Sequence, residues 1–292
     1  MLVTGVGGFV GRFAAARLAE RHRVVGLYRR SFPDGLAATP SIDLIQGDLR
    51  EVATLPKQID WLLHCAAEVP ATCSSPEELY RTNVEGCRNV FGHAVEAGAR
   101  GIIYLSSMAA FGAISETVVS ERTPCREPTV YGRSKADGEV ILRELAADHG
   151  LRTASIRLPG IVGAGSRNNF LSDVGRKIMH GETVRAANPS ALFNNIVHVR
   201  ALCEFFETLL DTLPPGHVVL TLGATEPLAI RDVLGRLFRQ CDRPERLEFA
   251  PQETSSFIIE FETARALGYR PQTVQASLDA FAVDLVAGAA AA

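Results

Sequence analysis

Apolar positions in the first half of the chain fall into two kinds of run. Short runs such as Val24-Val25-Gly26-Leu27-Tyr28, Leu44-Ile45, Trp61-Leu62-Leu63-His64-Cys65, Ile102-Ile103-Tyr104-Leu105 and Ala154-Ser155-Ile156-Arg157-Leu158 do not alternate with polar residues. Strands covered on both faces read this way, so each predicts a strand of a buried parallel sheet. The stretch from Met1 to Thr4 predicts a first strand of the same kind. Between these runs the spacing turns helical. Val10, Ala14 and Leu18 share one face of a helix predicted over 9–21, and further helices are predicted over 76–98 and 131–149. Pro76 suits a first helical turn with Ser75 as its cap, and Gly98 and Gly150 suit helix ends. Strand–helix alternation predicts an α/β fold with a doubly wound parallel sheet. Beyond Pro159 the pattern loosens into helices near 170–180, 199–213, 230–241 and 274–286, separated by loops carrying Pro and Gly.

Composition narrows the class without naming the chemistry. With 292 residues, 47% of them hydrophobic, the chain can bury a large core, as one α/β unit or one plus a lid. A net charge of −3 gives no basic face, so nucleic acid is not an expected partner. Six scattered cysteines form no C-x-x-C pair, which argues against zinc, any other metal centre and a disulfide framework. Reduced thiols and the absence of a basic-then-apolar leader predict a cytoplasmic protein with no membrane partner. The apolar stretch 287–292 is too short to span a bilayer and is expected to fray.

Two local patterns carry the candidate chemistry. Gly5, Gly8 and Gly11 recur at intervals of three between the first strand and first helix. One such glycine permits the turn, a second lets the backbone approach a pyrophosphate, and a third lets helix and strand pack closely. The phosphate would sit on free N–H groups at the helix N-terminus. The competing reading is an ordinary Gly-rich turn, since the spacing differs from G-x-G-x-x-G. The second pattern is Tyr131 and Lys135, four apart and therefore on one helix face. An ammonium near a phenol favours the phenolate. Such a Tyr protonates a carbonyl oxygen as hydride reaches carbon, or accepts the proton in reverse. A Ser hydroxyl from Ser106-Ser107 would hold that oxygen. The competing reading is a surface Lys above a packed Tyr. Together the two patterns point to nicotinamide-dependent carbonyl or alcohol chemistry.

The joint pattern resembles the extended branch of the short-chain dehydrogenase/reductase family, the NAD(P)-dependent epimerase/dehydratase group, over nearly the whole chain. T-G-x-x-G-x-x-G stands at 4–11, Gly47-Asp48-Leu49 follows the third strand, and His64-Cys65-Ala66-Ala67 follows the fourth. Asn83-Val84-Glu85-Gly86, Leu105-Ser106-Ser107, Phe111-Gly112, Tyr131-Gly132-Arg133-Ser134-Lys135, Arg157-Leu158-Pro159-Gly160-Ile161-Val162-Gly163, Val197-His198-Val199 and Leu267-Gly268-Tyr269-Arg270-Pro271 continue it in order. The resemblance implies a Rossmann sheet over 1–158. A smaller, mainly substrate-binding lid would cover 159–292, with 195–213 returning to the first unit. It implies Tyr131 as acid/base and Lys135 as its tuner and as a ligand of the nicotinamide ribose. Ser107, rather than Ser106, would be the catalytic hydroxyl and touch the substrate. Gly5, Gly8, Phe9, Val10 and Gly11 would cradle the cofactor, and Asp48 and Leu49 would flank its adenine. Ala66 and Ala67 would lie near its middle, Asn83 would order the site, and Pro159 would border it. Asp48 as a turn or cap residue, and Asn83 as a helix cap, are the competing readings.

Departures from the family pattern refine the expectation. Tyr28 stands where NAD-binding members carry an acid, with Arg29 and Arg30 next to it and Arg12 after Gly11. Guanidinium groups suit a 2′-phosphate, so NADP is favoured, with NAD possible. Met108, Ala109 and Ala110 stand where family dehydratases carry an acidic pair, which argues against sugar 4,6-dehydration. Asn194 and Asn195 replace the Arg-Asp that nucleotide-sugar members often have. The segments 168–179, 192–195 and 249–261 are expected to form the lid. Asn168, Asn169, Asn194 and Asn195 would then face a polar, hydroxyl- or amide-rich substrate more than a strongly anionic one. The expected function is reduction or oxidation of a carbonyl or secondary alcohol on a small sugar, nucleotide-sugar or natural-product ketone. The alternatives are an epimerase and a non-catalytic cofactor sensor. Leu79, Val90, Val95, Val140, Ile141 and Leu145 on the helices 76–98 and 131–149 suggest a homodimer.

Overall fold

The computed structural model describes residues 1–250 and 256–290. Seven strands form one parallel sheet: β1 (Leu2–Thr4), β2 (Val24–Tyr28), β3 (Ile42–Gln46), β4 (Trp61–His64), β5 (Gly101–Ser107), β6 (Arg152–Leu158) and β7 (Gly216–Thr221). Their order is β7-β6-β5-β4-β1-β2-β3. The order reverses at β1, and ligands of such sheets bind outside the carboxyl ends at that switch. Thr4 is in register with Leu27 of β2 and His64 of β4, so the loops after all three strands share one rim.

Successive strand residues point to opposite faces, and the two cores follow from this. Val3, Leu63, Leu105 and Ile156 face α1 (Phe9–Leu18) and α5 (Val199–Thr212), where Phe205 and Phe206 complete the packing. Leu2, Leu62, Ile102 and Tyr104 face α2 (Pro76–Glu96) and α3 (Val130–His149), against Phe91, Val90 and Leu142. Local chemistry sets the helix ends. Ser75 Oγ accepts from Glu78 N at 3.1 Å, and Thr129 Oγ1 accepts from Gly132 N at 3.2 Å. Gly150 ends α3 with φ at 65°, which favours glycine. Helix α1 stops at Leu18, before the predicted 21, because the chain tightens into i→i+3 bonds such as Arg21 N to Leu18 O at 3.2 Å.

A second, smaller core follows β6. Here α4 (Phe170–Met179), α6 (Ile230–Gln240) and α7 (Val274–Ala290) enclose Val174, Ile178, Leu234, Phe238, Leu278 and Phe281. The return to the first unit is longer than 195–213. Helix α5 packs in the first core, and β7 then joins the sheet with Leu220 beside Ile156. Phe261, Ala264 and Tyr269 also belong to that first core. The tail does not fray where expected. Helix α7 continues to Ala290, and Asp284 on it lies 3.0 Å from His198 Nε2; residues 291–292 lie outside the described residues.

Candidate active site

The turn after β1 is built so that only glycine fits. Gly5 has φ at +73°, and a Cβ there would stand 2.8 Å from the Ala66 backbone. A Cβ on Gly11 would stand 2.2 Å from the Gly5 carbonyl oxygen. Gly7, which sequence reasoning passed over, is as constrained: its Cβ would meet Ser31 O at 2.4 Å. Gly8 is the N-cap of α1 and no side chain caps that helix. The first-turn N–H groups around Phe9 and Val10 therefore remain available to an anion. These are the features a dinucleotide pyrophosphate requires, and the residues present fit it.

The loop after β4 is fixed from both sides. Thr4 Oγ1 accepts from Ala66 N at 3.2 Å and lies 2.9 Å from His64 Nδ1. His64 is buried, stacked on Tyr104 and edge-on to Phe91, and burial pushes its pKa down to about 3. It is therefore a neutral structural hydrogen-bonding group. Asn83 Oδ1 accepts from Glu68 N at 2.8 Å, while its Nδ2 donates to Glu68 O at 3.1 Å and Ser134 Oγ at 3.0 Å. Asn83 thus links this loop to the helix that bears Tyr131, rather than capping its own helix.

Lys135 is 3% exposed, and its Nζ donates to Leu105 O at 2.8 Å. That places the ammonium 5.9 Å from the centre of the half-buried Tyr131 ring and 4.9 Å from the Tyr104 ring. Ser134 Oγ donates to Tyr131 O at 2.8 Å. Ser107 ends β5 and caps the next turn, its Oγ accepting from Ala109 N at 3.1 Å. A Cβ on Gly132 would meet Ala109 O at 2.0 Å, so α3 begins hard against that turn. Ser107, Tyr131 and Lys135 are thereby gathered at the carboxyl end of β5. Pro159 follows the end of neighbouring β6 on the same rim.

Sequence reasoning missed the pair beneath them. Ser106 points to the other face of the sheet and donates to Glu139 Oε1 at 2.5 Å. Arg157 donates to both Glu139 oxygens, at 3.0 and 2.7 Å, and its guanidinium lies 4.4 Å from the Phe111 ring centre. Burial alone lowers the Arg157 pKa, but its bonds to Glu139 outweigh that and raise it. Both side chains are buried. The available signal was Glu139 itself, four positions after Lys135 on the same helix face.

The arginines expected at a 2′-phosphate are dispersed. Arg12 Nη2 donates to Ala164 O at 2.6 Å, with its guanidinium near the Phe9 and Phe13 rings, so it braces the loop after β6. A phosphate ligand role for Arg12 would use the rest of its exposed guanidinium. Arg30 is exposed. Arg29 is ion-paired with Glu68 and lies 4.0 Å from Asp48. Asp48 accepts from Arg50 N and Nε, both at 3.0 Å, and the bonds to Arg50 hold its carboxyl below the usual range. Leu49 is buried against α2, where a Cβ on Gly86 would stand 2.9 Å from Leu49 Cδ1.

Of the four asparagines expected to face substrate, three bond to backbone. Asn194 is 3% exposed; its Nδ2 donates to Ile259 O and its Oδ1 accepts from Ile259 N, each at 2.8 Å. Asn195 Oδ1 accepts from Gly160 N at 2.9 Å. Asn169 caps α4 through Ser172 N at 2.9 Å and donates to Ile161 O at 3.0 Å. Asn168 is exposed with φ at 60°. Of the expected lid segment 249–261, residues 251–255 lie outside the described residues. Its later part is stitched to the loop ahead of Tyr131: Ile258–Ile259 pairs with Val118–Val119, and Thr263 Oγ1 donates to Glu121 Oε1 at 2.5 Å. Among the described residues no helix is long and apolar enough to cross a membrane.

Known proteins share this architecture. The sequence model of the NAD dependent epimerase/dehydratase family matches residues 1–220. The chain is 26% identical over 302 residues to a UDP-glucose 4-epimerase of Streptomyces lividans, covering 92% of this chain and 91% of that one. It is 30% identical over 234 residues to a 3-beta-hydroxysteroid dehydrogenase of Mycolicibacterium neoaurum, covering 74% and 62%. The solved UDP-glucose 4-epimerase of Bifidobacterium longum superposes with a TM-score of 0.82 at 22% identity, covering 99% of this chain and 98% of that one. With the family match extending from the first residue into β7, the chain belongs to the NAD dependent epimerase/dehydratase family, the extended short-chain dehydrogenase/reductase type, and is an NAD(P)-dependent enzyme.

Proposed function

We propose that this chain is a reductase or dehydrogenase acting on a carbonyl or secondary alcohol of a small polar substrate. Residues Gly5 to Gly11, the Ala66-Ala67 loop, Leu49, Pro159 and Lys135 would hold a nicotinamide dinucleotide, which supplies or accepts the hydride. The protein's own part is proton transfer and orientation. Tyr131 gives its phenolic proton to the substrate oxygen during reduction and takes it back during oxidation. Lys135, with Leu105 O fixing its ammonium 5.9 Å from the Tyr131 ring, stabilises the phenolate left behind. Ser107 orients the substrate oxygen. That Lys–Tyr geometry is the observation carrying this reading.

A ketone and sugar-nucleotide panel tests it, with Tyr131→Phe as the control. Turnover by the wild type, lost in the variant, supports it; equal turnover by both overturns it. Net consumption of reduced cofactor separates it from the second reading, an epimerase that oxidises and re-reduces one carbon. The likeness to 4-epimerases over most of the chain favours that second reading. Cytoplasmic residence fits the six free cysteines. A homodimer through the outer faces of α2 and α3 would use the exposed Val140 but not Leu79 and Val90, which are buried in this chain's own core. Light scattering decides it.

A further inference from the structure

Arg29 and Glu68 stand on opposite sides of β1. Arg29 follows β2, Glu68 follows β4, and β1 lies between those strands. Their ion pair therefore spans the carboxyl end of β1, where the Gly5–Gly11 turn would receive the dinucleotide. Glu68 is well anchored. Asn83 bonds both its backbone N–H and C=O, at 2.8 and 3.1 Å, and Thr72 Oγ1 donates to its Oε1 at 3.0 Å. Its side chain is 6% exposed, against 35% for Arg29. Asp48 flanks the other side of the guanidinium at 4.0 Å. Arg29 is thus a cation between two carboxylates, of which Asp48 is held mainly by Arg50 and Glu68 is left to Arg29. Tyr28 leaves the end of β2 without an acid, but Glu68 brings one to the same place from two strands away.

We propose that Glu68 is a specificity-determining residue: its carboxylate competes with the cofactor's 2′-phosphate for Arg29. The choice between NADP and NAD is then set by the Arg29–Glu68 pair rather than by Arg29 alone. A 2′-phosphate must take the guanidinium from an anchored carboxylate and sit near that charge. A 2′-hydroxyl has no such opponent. The counter-charge mutes a preference that Arg29, read in isolation, would make strong. The proposal rests on the reading of this chain as a nicotinamide-dependent enzyme.

The test is binding, read by fluorescence titration of the purified full chain with NADPH and NADH, with thermal melting as a check on folding. Wild type is expected to bind the two within about ten-fold of each other. Glu68→Gln should raise the NADPH-over-NADH affinity ratio by about ten-fold, the worth of one charge-assisted hydrogen bond. Glu68→Asp, which withdraws the carboxylate while keeping its charge, should shift the ratio the same way by less, and serves if the first variant does not fold. Arg29→Gln should lower the ratio and abolish the effect of adding Glu68→Gln. An unchanged ratio in the Glu68 variants, with or without a lower melting temperature, overturns the proposal and leaves the enzyme reading intact. Failure of folded wild type to bind either cofactor overturns both.

Discussion

The glycine-rich turn and the segments expected to form the lid are fixed by different physics. In the turn, identity follows from space. A Cβ on Gly11 would lie 2.2 Å from Gly5 O, a collision with backbone that no rotamer relieves. In the lid, four asparagines of identical chemistry hold different posts. Asn169 caps a helix, Asn195 braces Gly160, Asn194 clamps Ile259, and Asn168 stands exposed at positive φ. A steric requirement leaves a mark in sequence because one residue meets it. An amide's hydrogen bonds leave none, because a backbone partner and a ligand satisfy it equally.

The largest test of the cofactor side is Tyr131→Phe. Loss of the general acid should lower turnover by about 10²–10⁴-fold. Cofactor affinity should hardly change, because the phenol is not among the groups holding the dinucleotide. Turnover close to wild type would break the reading of the whole half.

Next comes the buried pair under the site. Glu139→Ala leaves the Arg157 guanidinium buried without its bidentate partner and should cost about 3–5 kcal/mol in denaturant unfolding. Arg157 Nη1 already lacks a partner in the structure, so the remaining bonds matter more. Tyr131 and Lys135 ride on the same helix, so a loss of turnover without a loss of stability would instead mean that Glu139 acts on the chemistry.

These cases show what the sequence made legible. Six apolar runs marked strands of the first unit and three periodic stretches marked its helices, since apolar continuity and 3.6-residue spacing act locally. The Tyr131–Lys135 geometry followed from one helix face. Gly7 escaped because its constraint comes from Ser31, a neighbour only in the fold. Arg29 looked free because Glu68 is 39 residues away in sequence. The Ser106–Glu139–Arg157 network left only Glu139's helical spacing from Lys135 as a signal, because its three elements meet only after the sheet forms. β7 was missed because Gly216 to Thr221 lies beyond the point where the chain had been read as lid.

A pH experiment probes the turn side again, more gently. Burial holds the His64 pKa down to about 3 and that of His217 down to about 4. Both folded values lie below the unfolded one, so the unfolded chain binds protons that the native chain does not. The stability of the neutral forms is fully present above about pH 6.5 and is lost as pH falls toward the folded values. Denaturant unfolding between pH 6.5 and 5 should show stability falling with a slope approaching about 1.4 kcal/mol per pH unit for each histidine. His64→Gln should flatten the slope by one proton. An unchanged slope in that variant would mean His64 is charged in the fold, and the neutral bridge from Thr4 to Ala66 would need another account.

The smallest effect sharpens the lid side most. Asn194→Ala removes a clamp from a buried strand and leaves Ile259 N–H and C=O without their partners. An unpaired buried group costs about 1–3 kcal/mol, and local relaxation brings the expected loss near the low end. Asn168→Ala, at an exposed site, removes no such bond. Its change should stay within about 0.5 kcal/mol, apart from strain at its positive φ. Ile259 pairs with the strand ahead of Tyr131, so Asn194→Ala should also lower kcat modestly as that loop loosens, while KM stays near wild type. The contrast with a substrate ligand is sharp: removing a ligand raises KM and leaves the melting temperature alone. If Asn194→Ala raised KM several-fold without lowering thermal stability, the clamp assignment would be wrong. The amide would then have to leave Ile259 when substrate arrives, and the lid would be a moving part rather than a stitched one.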